Sequence, residues 1–425
     1  MSIDLSQAIF EANRCLFCYN APCIEACPVR INIPGFIKRL AEQNFLGSVE
    51  LLFDANPLAT VCGLVCPTDD LCEGACVLPG LGQRAIRIGA LQYFVASEFH
   101  ACESSDATDY LGRVAIVGGG PSGIGCAVTL RRLGYAVDIF EREHEPGGLV
   151  NQVIPGYRLP QEIVTRDLDR LLDMGISFIT NEGLTASRIA DLAEQYDALF
   201  LGIGMNVEPE FSVPGTDLPG VISALGSLRD ARSHSRGQAP APELGDVVVV
   251  IGGGNVAMDA AVMAKRLGVE RVIVLYRRTL EEMTAWHSEY MEAADIGVEF
   301  RWLTTAIAIK GKQRVETIEI QPMRRTDIGA DNRRKVEPDP EASIYEMACS
   351  TVILALGQAL DSDLAESLGL TTTEDRVIVA DPATYQTNRS KVFAAGEAIT
   401  GGSTVVNSLA QGMAAGRAIH QLLSE

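Results

Sequence analysis

Two kinds of hydrophobic pattern succeed one another along this chain. The first hundred residues carry apolar positions at helical spacing, as over 33–45 and 47–54, with no long β-branched run. From Arg113 the pattern changes. An apolar run, RVAIVGGG, leads into a helix-period stretch through Leu133 and then a second apolar run, YAVDIFE. Short, wholly apolar runs joined by a helix predict parallel strands buried on both faces, a βαβ unit. The same order recurs from Asp246: DVVVVIGGG, a helix through Leu267, then ERVIVLYRR. The polar stretch 103–111 reads as a linker, and 233–245 has loop composition. β-type alternation follows Glu299, and an apolar strand, TVILALG, begins at Thr351.

The predicted fold class is α/β: a helical N-terminal domain followed by two nested Rossmann-like dinucleotide-binding domains. The expected bounds are 1–105 for the helical domain, 112–232 with 350–425 for the first nucleotide-binding domain, and 233–349 for the second.

Composition narrows the function classes. A net charge of −20 excludes nucleic acid and anionic membrane as natural partners. No apolar run is long enough to span a membrane. The start, MSIDLSQAIFEANRC, has two acids before its first base and no export-signal pattern, so a cytoplasmic protein is expected.

In a reducing compartment, closely spaced cysteines point to metal rather than disulfides. Eight of the 11 cysteines fall in Cys15-x2-Cys18-x4-Cys23-x3-Cys27-Pro28 and Cys62-x3-Cys66-Pro67-x4-Cys72-x3-Cys76. Iron–sulfur clusters are held by thiolates, usually four each, at spacings of this kind. Eight thiols match two [4Fe–4S] clusters. Structural zinc also takes four cysteines, which leaves a zinc-stabilised assembly module as the different-class alternative. Cys102, Cys126 and Cys349 stand apart and are expected to pack as small apolar residues.

Gly118-x-Gly120-x-x-Gly123 follows the first strand and opens its helix. The first Gly makes the tight turn, the second admits a pyrophosphate, and the third lets helix and strand pack closely. Glu141 ends the next strand, where an acid bonds ribose hydroxyls. The second unit reads Gly252-x-Gly254-x-x-Ala257, and its second strand ends in Arg277 and Arg278 in place of the acid. Guanidinium groups bind a 2′-phosphate that an acid would repel, which favours NADP over NAD.

Two nucleotide folds beside two cluster motifs suggest a flavin reductase. A nicotinamide delivers electrons in pairs and a cluster accepts one, so a flavin is the adaptor the chemistry needs. No catalytic side chain is then expected. His100, His144, His234, His287 and His420 are scattered, and no GxSxG or HExxH is present.

With those residues in place, the chain resembles the electron-input subunit of bacterial dihydropyrimidine dehydrogenase and the N-terminal half of the single-chain enzyme. The wider superfamily includes the small subunit of glutamate synthase and NADPH:ferredoxin oxidoreductase subunits. The resemblance is carried by RCLFCYNAPCIEACPVRINIPGFI, TVCGLVCPTDDLCEGAC, RIGALQYF, VAIVGGGPSGIGCAVTLRRLGY, PGGLVNQVIPGYRLP, VVVIGGGNVAMDAA and AAGEAITGGSTVV.

It implies one cluster on Cys15, Cys18, Cys23 and Cys76, and another on Cys27, Cys66, Cys72 and the amide oxygen of Gln92. Cysteine arithmetic alone enlists Cys62 instead, since thiolate is the better ligand for iron. In glutamate-synthase-like relatives the Gln92 position is typically an acid, so Gln92 tilts the choice toward the pyrimidine branch. The resemblance further implies an FAD site of Gly118, Gly120, Gly123, Glu141, Gly148, Leu149, Arg158, Gly396, Glu397 and Thr404. Glu397 departs from the Asp usual there. For NADP or NAD it implies Gly254, Asn255, Ala257, Arg277, Arg278 and the turn Ala355, Leu356, Gly357, beside Gly252. It also implies a partner subunit holding FMN, on which uracil or thymine is reduced, or the reverse. A glutamate synthase large subunit or a ferredoxin is the alternative acceptor.

Overall fold

The computed structural model describes residues 3–99, 110–205, 207–328 and 334–425. Cys102, His100 and most of the expected linker lie outside the described residues. The chain divides into two compact units, one of Met1–Asn151, Tyr157–Asn206 and Ala359–Glu425, the other of Gln152–Gly156 and Val207–Gln358.

In the first unit the N-terminal hundred residues are helical. Helices Leu5–Ala12, Ile33–Ala41, Phe45–Ala55, Ala59–Val65 and Ile88–Glu98 pack around a core of Phe36, Ile37, Leu40, Leu52 and Leu91. Asp4, Asn32 and Asn44 start the first three, each accepting a backbone N–H of the first turn. Cys27 and Cys72 belong to this core, and Cys15, Cys23 and Cys76 pack against it.

The same unit contains a five-stranded parallel sheet of β1 (Arg113–Val117), β2 (Ala136–Phe140), β3 (Ser177–Ile179), β4 (Ala198–Leu201) and, from the end of the chain, β14 (Val392–Ala394). Its order is β14-β4-β1-β2-β3. Val114–Val117 are buried throughout, as an apolar run covered on both faces requires. The helices Pro121–Arg132 and Val405–Ser424 cross so closely that a Cβ on Gly412 would stand 1.9 Å from Ser122 O.

The second unit has its own parallel sheet, ordered β5-β13-β6-β7-β8, from β5 (Val221–Ser223), β6 (Val247–Ile251), β7 (Arg271–Tyr276), β8 (Glu299–Trp302) and β13 (Thr351–Leu354). An antiparallel sheet is built on β10 (Thr317–Ile328), which pairs with β9 (Thr304–Lys310), β11 (Arg334–Pro338) and β12 (Tyr345–Ala348).

This pairing moves both expected domain bounds. β5 and the helix Ala224–Ser235 lie in the second unit instead of with 112–232. β13 pairs with β5 and β6, so residues 350–358 also leave the first expected nucleotide-binding domain. The helix also runs into the stretch expected to be loop from 233. The reason is that a strand buried on both faces reads the same whichever parallel sheet it joins. No single helix among the described residues is long and apolar enough to cross a membrane.

Candidate functional site

The first fingerprint is built around glycine. Gly118 has φ +102°, and a Cβ there would lie 2.5 Å from Gly202 O. A Cβ on Gly123 would stand 2.0 Å from Gly118 O, so the helix can approach the turn only without one. The N-cap of helix Pro121–Arg132 is Gly120, which provides no side-chain hydrogen bond. Its first-turn N–H groups therefore remain available for an anion.

Glu141 is buried at the end of β2, where Oε2 accepts Gly119 N–H at 2.8 Å and Oε1 accepts Glu143 N–H at 3.0 Å. Each oxygen keeps a lone pair for a ribose hydroxyl. Gly147 N–H donates to Gly119 O at 2.8 Å, and a Cβ on Gly148 would lie 3.0 Å from Gly120 Cα. Leu149 then opens the short helix Leu149–Gln152. Gly396, at φ +74°, abuts Ser122, and its N–H donates to Gln411 Oε1 at 2.9 Å.

The fold thus gathers Gly118, Gly120, Gly123, Glu141, Gly148 and Gly396. Arg158 is half-buried on the approach to the helix Gln161–Asp173, and Thr404 caps the final helix through Asn407 N–H. Glu397 turns back on its own loop, where Oε1 accepts Ser403 N–H at 3.0 Å, and burial pushes its carboxyl up.

Sequence reading missed Ser122. Its Oγ is buried with no hydrogen-bond partner among the described residues, beside Gly396 and in the first turn of the fingerprint helix. A hydroxyl left without a partner there fits a bound phosphate-bearing group. The clue in the sequence was its position inside the Gly120–Gly123 interval.

In the second unit Gly252 has φ +149°, and a Cβ on it would meet Ala355 O at 2.2 Å. The Ala355-Leu356-Gly357 turn therefore lies against the second fingerprint, with Gly357 at φ +101°. Gly254, the N-cap of helix Asn255–Arg266, also lacks a side-chain cap, and Ala257 is fully buried behind it. Asn255 is committed to the protein, since its Oδ1 accepts Trp286 N–H at 2.9 Å. Past β7, Arg277 is exposed and Arg278 half-buried, with Nε of Arg278 buried and without a hydrogen-bond partner among the described residues.

The cysteines separate into two cavities. One is lined by Cys15, Cys18, Cys23 and Cys76 together with Leu16 and Val77. The other is lined by Cys27, Cys62, Cys66, Cys72, Gln92 and Val406. Ile33 borders both. Val406 lies in the first turn of the final helix, two residues after its cap Thr404, so the second cavity adjoins that helix.

Gln92 is buried, and its Nε2 donates to Ala59 O at 2.8 Å. Gln92 is itself one of the residues lining the second cavity. Cys62 is equally buried and lies beside Cys66, whose thiol is pushed far up by its hydrogen bond with Cys62 and by burial.

Burial also raises Cys15, Cys27 and Cys72, and raises Cys23 to about 11. Thiols crowded in this way become ligating thiolates only around a cation, whose charge reverses the shift. A single zinc, with Zn–S near 2.3 Å, draws its four sulfurs to about 3.8 Å from one another. Among the described residues no three His, Cys, Asp or Glu side chains are gathered around one ion position. Four cysteines line each cavity, a thiolate donor set that fits an iron–sulfur cluster. Cys126 and Cys349 are buried in the two nucleotide folds, and burial pushes Cys349 up to about 12.

Comparison with known proteins agrees with this geometry. Residues 1–104 match the family described as dihydropyrimidine dehydrogenase domain II, 4Fe-4S cluster, and residues 112–412 match pyridine nucleotide-disulphide oxidoreductase. The chain is 34% identical to the glutamate synthase [NADPH] small chain of Halomonas elongata, over 97% of this chain and 90% of that one. It is 33% identical to the NAD-dependent dihydropyrimidine dehydrogenase subunit PreT of Escherichia coli K12, over 98% and 94%. FprA from Mycobacterium tuberculosis shares the fold, with a TM-score of 0.64 at 22% identity over 74% of this chain and 85% of that one. The cofactors are FAD, a nicotinamide dinucleotide and [4Fe–4S] clusters. The chain belongs to the family of flavin- and iron–sulfur-containing NAD(P)H oxidoreductase subunits that includes dihydropyrimidine dehydrogenase PreT and the glutamate synthase small chains.

Proposed function

We propose that this chain is the electron-input subunit of a pyrimidine-reducing enzyme, feeding a separate FMN-containing subunit that converts uracil or thymine to the 5,6-dihydro form, or runs the reverse. When the cofactors are bound, the nicotinamide supplies a hydride, the flavin takes the electron pair, and the clusters accept electrons singly. The chain's own residues bind and orient. Gly118, Gly120 and the uncapped helix turn behind them receive the flavin pyrophosphate, and Glu141 receives its ribose. Arg277 and Arg278 receive the nicotinamide nucleotide's 2′-phosphate, which makes NADPH the preferred donor.

In this reading Cys15, Cys18, Cys23 and Cys76 hold one cluster and Cys27, Cys66, Cys72 and Gln92 the other. The observation that carries the pyrimidine branch is Gln92, which lines the second cavity and whose amide nitrogen is tied to Ala59 O, so that in this reading its oxygen is the ligating end. Cys62→Ala is then expected to keep the full iron content, and loss of about half the iron would hand the eighth position to Cys62. The 34% identity to a glutamate synthase small chain supports a second reading, in which the acceptor is a glutamate synthase large subunit.

Purification of the native complex decides between the acceptors. The expected result is a co-purifying FMN protein, dye reduction by this chain alone, and uracil reduction only by the pair. Uracil turnover by the isolated chain, or glutamate formation by the complex, overturns the proposal.

A further inference from the structure

The helix Ala59–Val65 carries Cys62 and runs directly into Cys66, yet its N-cap is Leu58, which supplies no side-chain hydrogen bond. An apolar N-cap leaves first-turn N–H groups without acceptors, and this helix end is buried. The acceptor arrives from far along the chain. Asp167 Oδ2 takes Val61 N–H at 3.0 Å, and Asp167 is itself fully buried in the middle of the helix Gln161–Asp173. Thr60 also lies beside Asp167, although its hydroxyl donates to Ala96 O at 3.5 Å, and Asp167 Oδ1, with no hydrogen-bond partner among the described residues, stands 3.7 Å from Arg170 Nη1.

The residue just before Asp167 and the one a turn after it meet the opposite pole of a neighbouring helix. Arg166 donates to Ser97 O, and Arg170 Nη2 lies 3.5 and 3.4 Å from Ala96 O and Phe99 O. These carbonyls end the helix Ile88–Glu98, which carries Gln92. The Arg170 guanidinium also lies 3.4 Å from the centroid of the Phe53 ring. Arg132, at the end of the flavin fingerprint helix, donates to Phe53 O at 3.0 Å and Asp54 O at 2.8 Å, closing the helix Phe45–Ala55. A carboxylate meets the one N-terminus and guanidinium groups meet the two C-termini, so every charge complements the helix dipole it faces.

We propose that Asp167, Arg166 and Arg170 form a seat through which the flavin fold positions the helices bearing Cys62, Cys66 and Gln92, with Arg132 holding the adjoining helix Phe45–Ala55. They are positioning residues, since none of the four lines either cysteine cavity. The seat rests on the proposed cluster assignment only for its kinetic consequence, not for its structural one.

Hydrogen exchange tests the structural part on the full chain. Asp167→Ala is expected to speed exchange of the Thr60 and Val61 amides by about fivefold to tenfold, the loss of one helix cap, while amides of β1 and β6 stay unchanged. Asp167→Asn keeps an acceptor and is expected to restore protection to within about threefold. Arg170→Gln is expected to expose the amides before Phe99, and serves if Asp167→Ala does not fold.

Stopped-flow mixing of the holoprotein with NADPH tests the consequence. Flavin bleaching is expected at the parent rate, followed by cluster bleaching slowed at least about fivefold in Asp167→Ala and restored in Asp167→Asn. Unchanged amide protection in Asp167→Ala and Arg170→Gln, or equal slowing of both optical phases, overturns the seat. A partner other than a pyrimidine-reducing subunit defeats the proposed function and leaves the seat intact.

Discussion

Glu141 shows how much one side chain does at the flavin fingerprint. It closes β2, accepts two backbone N–H groups that would otherwise be buried unpaired, and in the proposed reading stands where ribose hydroxyls are read. Glu141→Gln must turn an amide N–H2 toward one of those donors. The expected outcome is a drop in FAD affinity of about tenfold or more, since an unsatisfied buried donor costs about 1–3 kcal/mol. FAD retained through gel filtration measures it. Gly123→Ala is harsher, because the added carbon would stand 2.0 Å from a backbone carbonyl and backbone cannot swing aside. Apoprotein of markedly lower Tm is expected. The glycines were legible because their requirement is local: a turn and a close approach written in three positions. Ser122 was not, because its orphaned hydroxyl acquires meaning only when Gly396 arrives from the end of the chain.

At the scale of elements, the two βαβ units appear where the apolar runs predict them, over Arg113–Phe140 and Val247–Tyr276, each with an uncapped helix at the phosphate position. Other helices also start without a side-chain cap, those at Ala59, Ile88, Gln161 and His287 among them, so it is the glycine turn ahead of each fingerprint helix that suits these two to a phosphate. The units differ in the residue that ends the second strand. Arg277→Ala with Arg278→Ala is expected to raise KM for NADPH by about tenfold to a hundredfold, the loss of charge-assisted bonds, while leaving KM for NADH within about twofold. Steady-state dye reduction with each nucleotide measures it. Equal losses for both nucleotides would return the arginines to the status of a solvated strand end.

At the scale of the molecule, burying Asp167 has a pH signature. Desolvation raises its carboxyl from an ordinary 3.8 to about 6, against the bonds from Thr60 and Val61 and the charge of Arg170. Between those values the folded chain binds more protons than the unfolded one, so this group's contribution to stability is largest below the lower value. It is lost as pH rises through about 6, to an extent of order 3 kcal/mol. Asp167→Asn removes that slope while keeping a hydrogen-bond acceptor. Its apparent Tm is therefore expected to gain on the parent between pH 5 and pH 7.5. A parallel pH dependence in the two proteins would show that Asp167 is not buried as described.

By itself the sequence determined the class of chemistry. Cysteine spacing, two glycine fingerprints and an arginine pair are short-range patterns, and each states a local requirement of thiolate ligation, phosphate approach or charge. Those requirements are written locally, although the fold brings Cys76 to the cavity of Cys15 and closes the glycine turns against Gly202 and Ala355 from far along the chain. The tertiary structure alone decided which strands share a sheet, since β13 reads as any buried strand and joins β6 instead of the first sheet. It also decided which cysteines share a cavity with Gln92, and that Asp167 completes a helix whose own N-cap is leucine. Relations of this kind join residues from twenty to more than a hundred positions apart. Burial creates them, by making every unpaired polar group find a partner wherever the fold brings one.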